Sequence, residues 1–450
     1  MSNETAIKVF QDWLDNYLDF ERLPQKGIFW LDTIQFLCRR FNNPQNCAPC
    51  FHVAGSKGKG SVSKMIACIL EEAGYSCGLY SSPHITDFRE RIGTAHDFFP
   101  ESVYEAAIRE MVPRVESVIP DDLPEQRPVT WFELVTLYAF LCFRQAHVQY
   151  AVYEVGMGGR LDATNVVAPK ISCITPIELE HTEFLGDTLE KIAGEKAGII
   201  KTDVPVIIAA QKTESVRDVF RRKAAEAGTS CTFVDDLTTF LGNSYSETGM
   251  DVRIESKLFA RPVCTTLKMY GREQMQNAAL AALAVKKALP ETDEAVIEKG
   301  LSKAVLPGRF EITTAPSQYS SISHLILDGA HTVNSIGFSV ETLSAMFGNQ
   351  RTHLLFACAA DKDVKEIAPL FRGRFSHIML TRPGETKQSD IVKASGAFTD
   401  AGLLFTSESD FTKAIPAAFE CAQKEGAILL VTGSFYLVSE VKKYMISITR

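Results

Sequence analysis

Apolar positions along this chain follow two alternating rhythms. Short, nearly continuous runs at 50–54, 77–81, 150–155, 171–176 and 204–209 have the length and composition of buried strands, and helical patterns follow most of them. After the first run, Val62, Met65, Ile66, Ile69 and Leu70 recur at i, i+3, i+4, i+7 and i+8, one face of a helix, and Gly74 suits its stop. This alternation predicts a parallel α/β sheet. Residues 228–270 read differently: short β-like runs at 231–234, 250–254 and 262–269, separated by polar turns, predict a small antiparallel excursion. A helix-rich stretch at 274–303 follows, and Pro307-Gly308 marks a hinge into a second α/β unit, with strand-like runs at 323–327, 353–358, 377–381, 403–405 and 427–431. The expected layout is an N-terminal parallel α/β domain with a small antiparallel excursion over 1–305 and a smaller α/β domain over 306–450.

Composition narrows the class of function. A formal net charge of −8 argues against a general nucleic-acid or acidic-membrane binder, while leaving room for a local basic pocket. The eleven cysteines are scattered, and the one Cys-x-x-Cys pair, Cys47 and Cys50, makes neither a disulfide framework nor a paired zinc signature. The first fifteen residues form an acidic amphipathic pattern without the basic and apolar regions of a leader, and no apolar run of about 18 residues occurs. A cytoplasmic protein acting on small molecules, without a membrane or nucleic-acid partner, is the expectation.

The candidate chemistry starts in the loop after the first strand. Gly55, Ser56, Lys57, Gly58, Lys59, Gly60 and Ser61 lie between an apolar strand and an amphipathic helix, the context of a phosphate cradle. The glycines turn backbone N–H groups inward, Lys59 brings a point charge, and the Ser61 hydroxyl suits the Mg²⁺ that accompanies ATP. The spacing is Gly-x-x-Gly-Lys-Gly-Ser, with Val53 where the first glycine of the usual P-loop pattern stands. Other marked residues fall at or beyond predicted strand ends, where ligands gather in such sheets: Ser82, Glu154 and the stretch 178–181. Glu154 is an oxygen ligand suited to a hard cation, His181 is a candidate ligand or a satisfied imidazole, and Lys196 lies on a helix read as starting at Asp187 with Glu190 capping it. Gly156-Met-Gly158-Gly159 is not a dinucleotide loop, because Leu161 replaces the third glycine.

The segments 81–92, 154–165 and 180–199, then Gly271-Arg-Glu-Gln-Met-Gln-Asn277, Pro307-Gly-Arg-Phe-Glu311, Leu327-Asp-Gly-Ala-His331, Asp361-Lys-Asp363 and Val431-Thr-Gly-Ser434, follow the loop in order. Together they closely resemble folylpolyglutamate synthase/dihydrofolate synthase, a branch of the Mur ligase superfamily. The resemblance covers most of the chain and implies an ATP-dependent ligase that adds L-glutamate to a folate or to dihydropteroate, with a P-loop ATPase-like N-terminal domain over 1–305 and a Rossmann-like C-terminal domain over 306–450; a monomer is the expectation. It implies two Mg²⁺ ions, one served by Ser82 and Glu154 and a second by His181, with Lys196 carbamylated by CO₂ into an anionic ligand. It makes Asn277, Arg309 and Asp328 the adenine, phosphate and ribose contacts, and gives His331 a catalytic role beside Lys59, His181 and Lys196. It places Ser82, Pro83, His84, Thr130, Trp131, Phe132, Glu133, Leu161, Asp162 and Ala163 on the pterin side of the cleft. Three positions depart from the family pattern: Glu273 for the usual histidine, Glu180 for aspartate, and Thr332-Val333 for Asn-Pro. Alternatives are a related ligase for a cell-wall precursor, a P-loop phosphotransferase or nucleotide switch, and a non-catalytic ATP-binding module.

Overall fold

A computed structural model describes residues 6–19, 30–385 and 388–449. The first half is built on a seven-stranded sheet: β1 (Cys50–Ala54), β2 (Cys77–Tyr80), β3 (Ile92–Gly93), β4 (Tyr150–Glu154), β5 (Ile171–Ile174), β6 (Val206–Ile208) and β7 (Cys231–Phe233). Their order is β3-β2-β4-β1-β5-β6-β7. All neighbours run parallel except the short edge strand β3, which pairs antiparallel with β2. β1 lies between β4 and β5, with all five of its residues buried, so the loop that leaves its carboxyl end opens over the middle of the sheet.

The helix Lys59–Glu72 that follows is buried along almost its whole length, including Val62, Met65, Ile66, Ile69 and Leu70. One side faces the sheet, and the other meets the helices Arg272–Ala288 and Glu294–Lys303. Small residues make that triple packing close. The helix Arg272–Ala288 buries Ala278, Ala279, Ala281, Ala282 and Ala284, and Gly300 comes so near that a Cβ there would sit 2.5 Å from the Ile69 Cα.

Three antiparallel strands, β8 (Thr238–Ser246), β9 (Gly249–Ser256) and β10 (Val263–Leu267), form a separate sheet ordered β10-β9-β8. The second α/β unit holds β11 (Glu311–Thr313), β12 (Leu325–Leu327), β13 (Thr352–Phe356), β14 (His377–Leu380), β15 (Thr406–Ser407) and β16 (Ile428–Thr432), ordered β11-β12-β16-β13-β14-β15. Again only the edge strand β11 is antiparallel. No described helix is long and apolar enough to cross a membrane. All eleven cysteines are free thiols, and burial pushes those of Cys47 and Cys50 upward, so the Cys-x-x-Cys pair packs as small apolar residues.

The pattern misplaced some elements. The run at 231–234 reads as part of the antiparallel excursion, but Cys231–Phe233 extends the parallel sheet, with Cys231 opposite Val206. The run at 403–405 is not a strand: Leu404 is exposed, and the edge strand lies just beyond it at Thr406–Ser407. β8 escaped notice because Gly242 and Asn243 interrupt its alternation, at the place where its pairing with β9 shifts register. The stretch 274–303 is two helices divided by 289–293.

Gly300 offers a direct test of the packing around the phosphate-loop helix. Alanine in a helix interior ordinarily stabilises relative to glycine, by roughly 1 kcal/mol. Here the added methyl meets the Ile69 backbone, so Gly300→Ala is expected to destabilise by about 1–3 kcal/mol, read as a lower urea midpoint at unchanged slope.

Candidate active site

The loop between β1 and its helix turns at Gly58, whose φ of +91° lies in the left-handed region, and a Cβ there would stand 2.6 Å from Asn277 Oδ1. Only glycine satisfies both demands. Asn277, buried on the helix Arg272–Ala288, donates from Nδ2 to Gln274 Oε1 at 3.1 Å and so presents its amide to the underside of the loop. Inside the turn two ammonium groups share one acceptor. Lys59 Nζ donates to the Gly55 carbonyl at 3.1 Å, and Lys196 Nζ donates to the same oxygen at 2.8 Å.

Lys196 is 1 % exposed, so its charge requires a partner, and Glu180 Oε1 accepts from it at 2.9 Å. Burial pulls the Lys196 amine down to about 8 against the attraction of Glu180. Burial acts on Glu180 in the opposite direction, but the ammonium groups of Lys196, Lys59 and Lys57 overcome it and hold the carboxyl at about 2. Lys57 Nζ lies 3.6 Å from Glu180 Oε2 and donates to His331 Nε2 at 3.3 Å. The helix carrying Lys196 spans Leu189–Ala197. It is capped not by Asp187 but by Thr188, whose hydroxyl accepts from the Lys191 N–H, while Asp187 pairs with the Lys191 side chain at 2.7 Å.

Next to the loop lies a set of oxygen donors. Ser61 Oγ is buried without a hydrogen-bond partner. Glu154 ends β4, and its carboxylate is close enough to the start of the loop helix that a Cβ on Gly60 would be 3.4 Å from Oε2. The Ser82 N–H donates to the same Oε2 at 3.1 Å. Burial raises the Glu154 carboxyl, with Lys59, the Ser82 N–H and Arg309 opposing it. A buried hydroxyl with no partner beside a buried carboxylate suits a hard cation. His181 adopts a left-handed backbone, φ +46°, at the start of a short helix, Thr182–Leu185, and desolvation lowers its imidazole to about 4. It is therefore neutral at pH 7, the form that ligates metals.

The second unit contributes the opposite wall. Arg309 lies over the Phe435 ring at 4.4 Å, and Asp328, Glu154 and Glu273 are the carboxylates around its desolvated guanidinium. Asp328 is buried and accepts from Ser339 Oγ and from the Ala330 N–H. His331 Nδ1 donates to the Gly329 carbonyl at 2.8 Å, which leaves Nε2 as the acceptor facing Lys57. Burial, with Lys57 adding to it, takes this imidazole down to about 3. Lys362, in the Asp361-Lys-Asp363 segment, is near enough to depress both His181 and His331 further. Glu273 is raised to about 7 by burial, with Asp328 adding to it, and its Oε2 has no partner. Thr332 accepts from the Ser335 N–H and caps the helix Val333–Phe347, so Thr332-Val333 still starts a helix where the usual pair is Asn-Pro. The two units are tied by Asn334 Nδ2 donating to Glu178 Oε1 at 2.8 Å and Ser439 Oγ donating to the Ile85 carbonyl at 2.5 Å.

The residues expected on the pterin side divide into two groups. Ser82, Pro83, His84, Phe132 and Leu161 are partly or fully exposed. His84 Nδ1 accepts from Arg91 Nε at 2.8 Å, and Arg91 in turn stacks 4.9 Å from the Trp131 ring. Thr130, Trp131, Glu133, Asp162 and Ala163 are buried. Thr130 and Glu133 form a capping box that starts the helix Trp131–Gln145, and Asp162 accepts from the N–H groups of Met157 and Thr164, at 3.0 Å each, to shape the loop after β4. Ser56 steadies the glycine-rich loop, donating to the Glu178 carbonyl at 3.1 Å. Sequence reasoning missed Phe435, directly after the quoted Val431-Thr-Gly-Ser434, and Thr175, whose buried hydroxyl lies under Gly55.

Comparison with known proteins accords with this geometry. Residues 53–285 match the Mur ligase middle domain and 308–435 the Mur ligase glutamate ligase domain. The chain is 31% identical over 447 residues to a dihydrofolate synthase/folylpolyglutamate synthase of Bacillus subtilis, covering 98% of this chain and 99% of that one. The Escherichia coli protein of the same name is 30% identical over 457 residues, covering 97% and 95%. A solved folylpolyglutamate synthase of Mycobacterium tuberculosis, complexed with ADP, superposes with a TM-score of 0.86 at 26% identity over 98% of both chains. By sequence and by fold alike, this chain belongs to the Mur ligase family, in the branch of the folylpolyglutamate and dihydrofolate synthases.

Proposed function

We propose that the protein is an ATP-dependent carboxylate–amine ligase that joins L-glutamate to a folate, to dihydropteroate, or to both. The observation that carries this reading is the pair of loop lysines, Lys57 and Lys59, beside the unpartnered Ser61 hydroxyl and the buried Glu154. That arrangement is complementary to a metal-bound triphosphate. In this reading the chain divides at 305–306, between the helix ending at Lys303 and the edge strand beginning at Glu311, and nucleotide lies between the two units.

Lys59 and Arg309 offset the charge on the triphosphate while the substrate carboxylate attacks the γ-phosphorus, forming an acyl phosphate and ADP. Activation is needed because a carboxylate is a poor electrophile. The amine of glutamate then attacks the acyl carbon and phosphate leaves, the protein contributing position and exclusion of water. Asn277 and Asp328 are assigned to the adenosine, and Phe132 and Leu161, with the 82–84 turn, to the pterin. His331, neutral and with Nε2 accepting from Lys57, is assigned a catalytic role beside that lysine.

Ser61, Ser82 and Glu154 would hold one Mg²⁺, and His181 with a modified Lys196 a second; when bound, such ions neutralise phosphate charge. Carbamylation of Lys196 begins from the neutral amine, and burial, by pulling this amine down to about 8, makes that form accessible. The modified side chain would face Glu180 as a second anion, a pairing that calls for a cation beside His181.

The defining experiment measures phosphate release with Mg-ATP and L-glutamate, separately with dihydropteroate, tetrahydrofolate and a cell-wall precursor, alongside product masses. Glutamate-dependent turnover with a pteridine substrate supports the assignment; turnover only with the cell-wall precursor, or ATP hydrolysis indifferent to glutamate, sinks it. Lys59→Ala is expected to lower kcat by roughly 10²–10³-fold at saturating ATP while leaving the urea midpoint nearly unchanged. Glu154→Gln keeps the shape and removes the charge, so its activity should require more Mg²⁺ or vanish; an unchanged Mg²⁺ titration assigns Glu154 a structural role. Lys196→Arg preserves positive charge but cannot become a carbamate. Near-complete inactivity of Lys196→Arg, with partial rescue of Lys196→Ala by acetate, is the expected pattern, whereas substantial activity in the arginine variant removes the carbamate from the account.

A further inference from the structure

The first residues of β13 and β14 place two histidines side by side. His353 and His377 are partners in the parallel register, with ring centroids 5.4 Å apart. Over them lies the last part of the helix Phe411–Glu425, which packs on both strands and brings Cys421 and Glu425 to the pair. One ligand atom from each of His353, His377 and Cys421 lies within 4.8 Å of the other two. His353 is 1 % exposed: its Nε2 donates to Glu425 Oε2 at 3.0 Å, while its buried Nδ1 has no hydrogen-bond partner. His377 and Cys421 are only half-buried, which gives an ion access from solvent.

We propose that His353, His377 and Cys421 form a binding site for a borderline-soft divalent cation of the zinc class, with Glu425 orienting the His353 ring. Two imidazole nitrogens and one thiolate are the donor set that selects such an ion over Mg²⁺ or Ca²⁺. Binding through Nδ1 of His353 gives its unpartnered nitrogen a ligand and keeps the Nε2–H on a carboxylate, the usual support of a metal-bound histidine. Ligand atoms around a tetrahedral zinc lie about 3.5 Å apart, so side chains whose ligand atoms lie within 4.8 Å of one another must draw together on binding. The Cys421 thiol gives up its proton to solvent on binding, and water completes the fourth position. The site lies at the amino ends of β13 and β14, away from the carboxyl ends that face the nucleotide cleft. It clamps the end of the 411–425 helix to the sheet and is not part of the ligation chemistry.

Co²⁺ serves as the probe. The full chain, reduced, stripped with chelator and held in excess Mg²⁺ to occupy hard-cation sites, is titrated while the near-ultraviolet thiolate-to-cobalt band is followed. The expected result is one saturable equivalent with a thiolate band, abolished in Cys421→Ser and shifted to at least tenfold weaker binding in His377→Gln. Glu425→Gln, a change at an exposed position, should weaken binding by about 10–100-fold. Thermal unfolding with Zn²⁺ should show a higher Tm for the wild type and no shift for Cys421→Ser. Absence of a thiolate band in the wild type, or an undiminished band in Cys421→Ser, overturns the site.

Discussion

The Gly55 carbonyl, accepting from Lys59 and from the unmodified Lys196 at once, is the point around which the charges of the site are arranged. Bringing two like charges to one oxygen is unfavourable without nearby anions, and the protein supplies them unevenly. Glu180 answers Lys196 directly, and Glu154 acts on Lys59 from across the start of the loop helix. Lys57 reaches toward Glu180 and the neutral His331. The loop thus retains concentrated positive charge, which the proposed polyphosphate would balance. The close packing beneath it serves the same end: a loop seated on Asn277 and a helix pressed between sheet and two alanine- and glycine-containing helices hold these charges in place.

Position in the two sheets explains how residues far apart in the chain meet. Glu154 ends β4, the glycine-rich loop follows β1, and Glu180 and His181 lie a few residues beyond β5, all from neighbouring strands of one parallel sheet. Asp328 and His331 follow β12 of the second sheet in the same way. Two carboxyl edges therefore face one another, and the bridges Asn334–Glu178, Ser439–Ile85 and Lys57–His331 cross between them. A cleft between two units suits chemistry with an acyl phosphate, since closure keeps water from an intermediate it would hydrolyse.

Much of this was legible in the residues alone, for physical reasons that also explain what was not. A strand, a glycine-and-lysine turn and a helix make a local signal, so the glycine-rich loop and its helix were found where they lie. Parallel buried strands are continuous apolar runs, and β1, β2, β4, β5 and β6 were placed with small errors at their ends, where the chain turns into the cleft. Cys231–Phe233 was misassigned because a short, half-buried edge strand has no period to show which sheet it joins. The capping bonds made by Thr130, Glu133 and Asp162 use acceptors and donors that are also good ligand groups, so residue type alone did not reveal them. The stacking of Phe435 on Arg309 joins residues distant in sequence and has no local signature.

The central claim is that the cleft activates a carboxylate by phosphorylation before the amine arrives. Transfer of oxygen-18 from a labelled substrate carboxylate tests it most directly, because breakdown of an acyl phosphate by an amine leaves one carboxylate oxygen on the released phosphate. With Mg-ATP, L-glutamate and an oxygen-18-labelled pteridine or folate carboxylate, the account predicts one labelled oxygen in each phosphate released and none in ADP. Phosphate free of label, with its new oxygen drawn from solvent water, would contradict it.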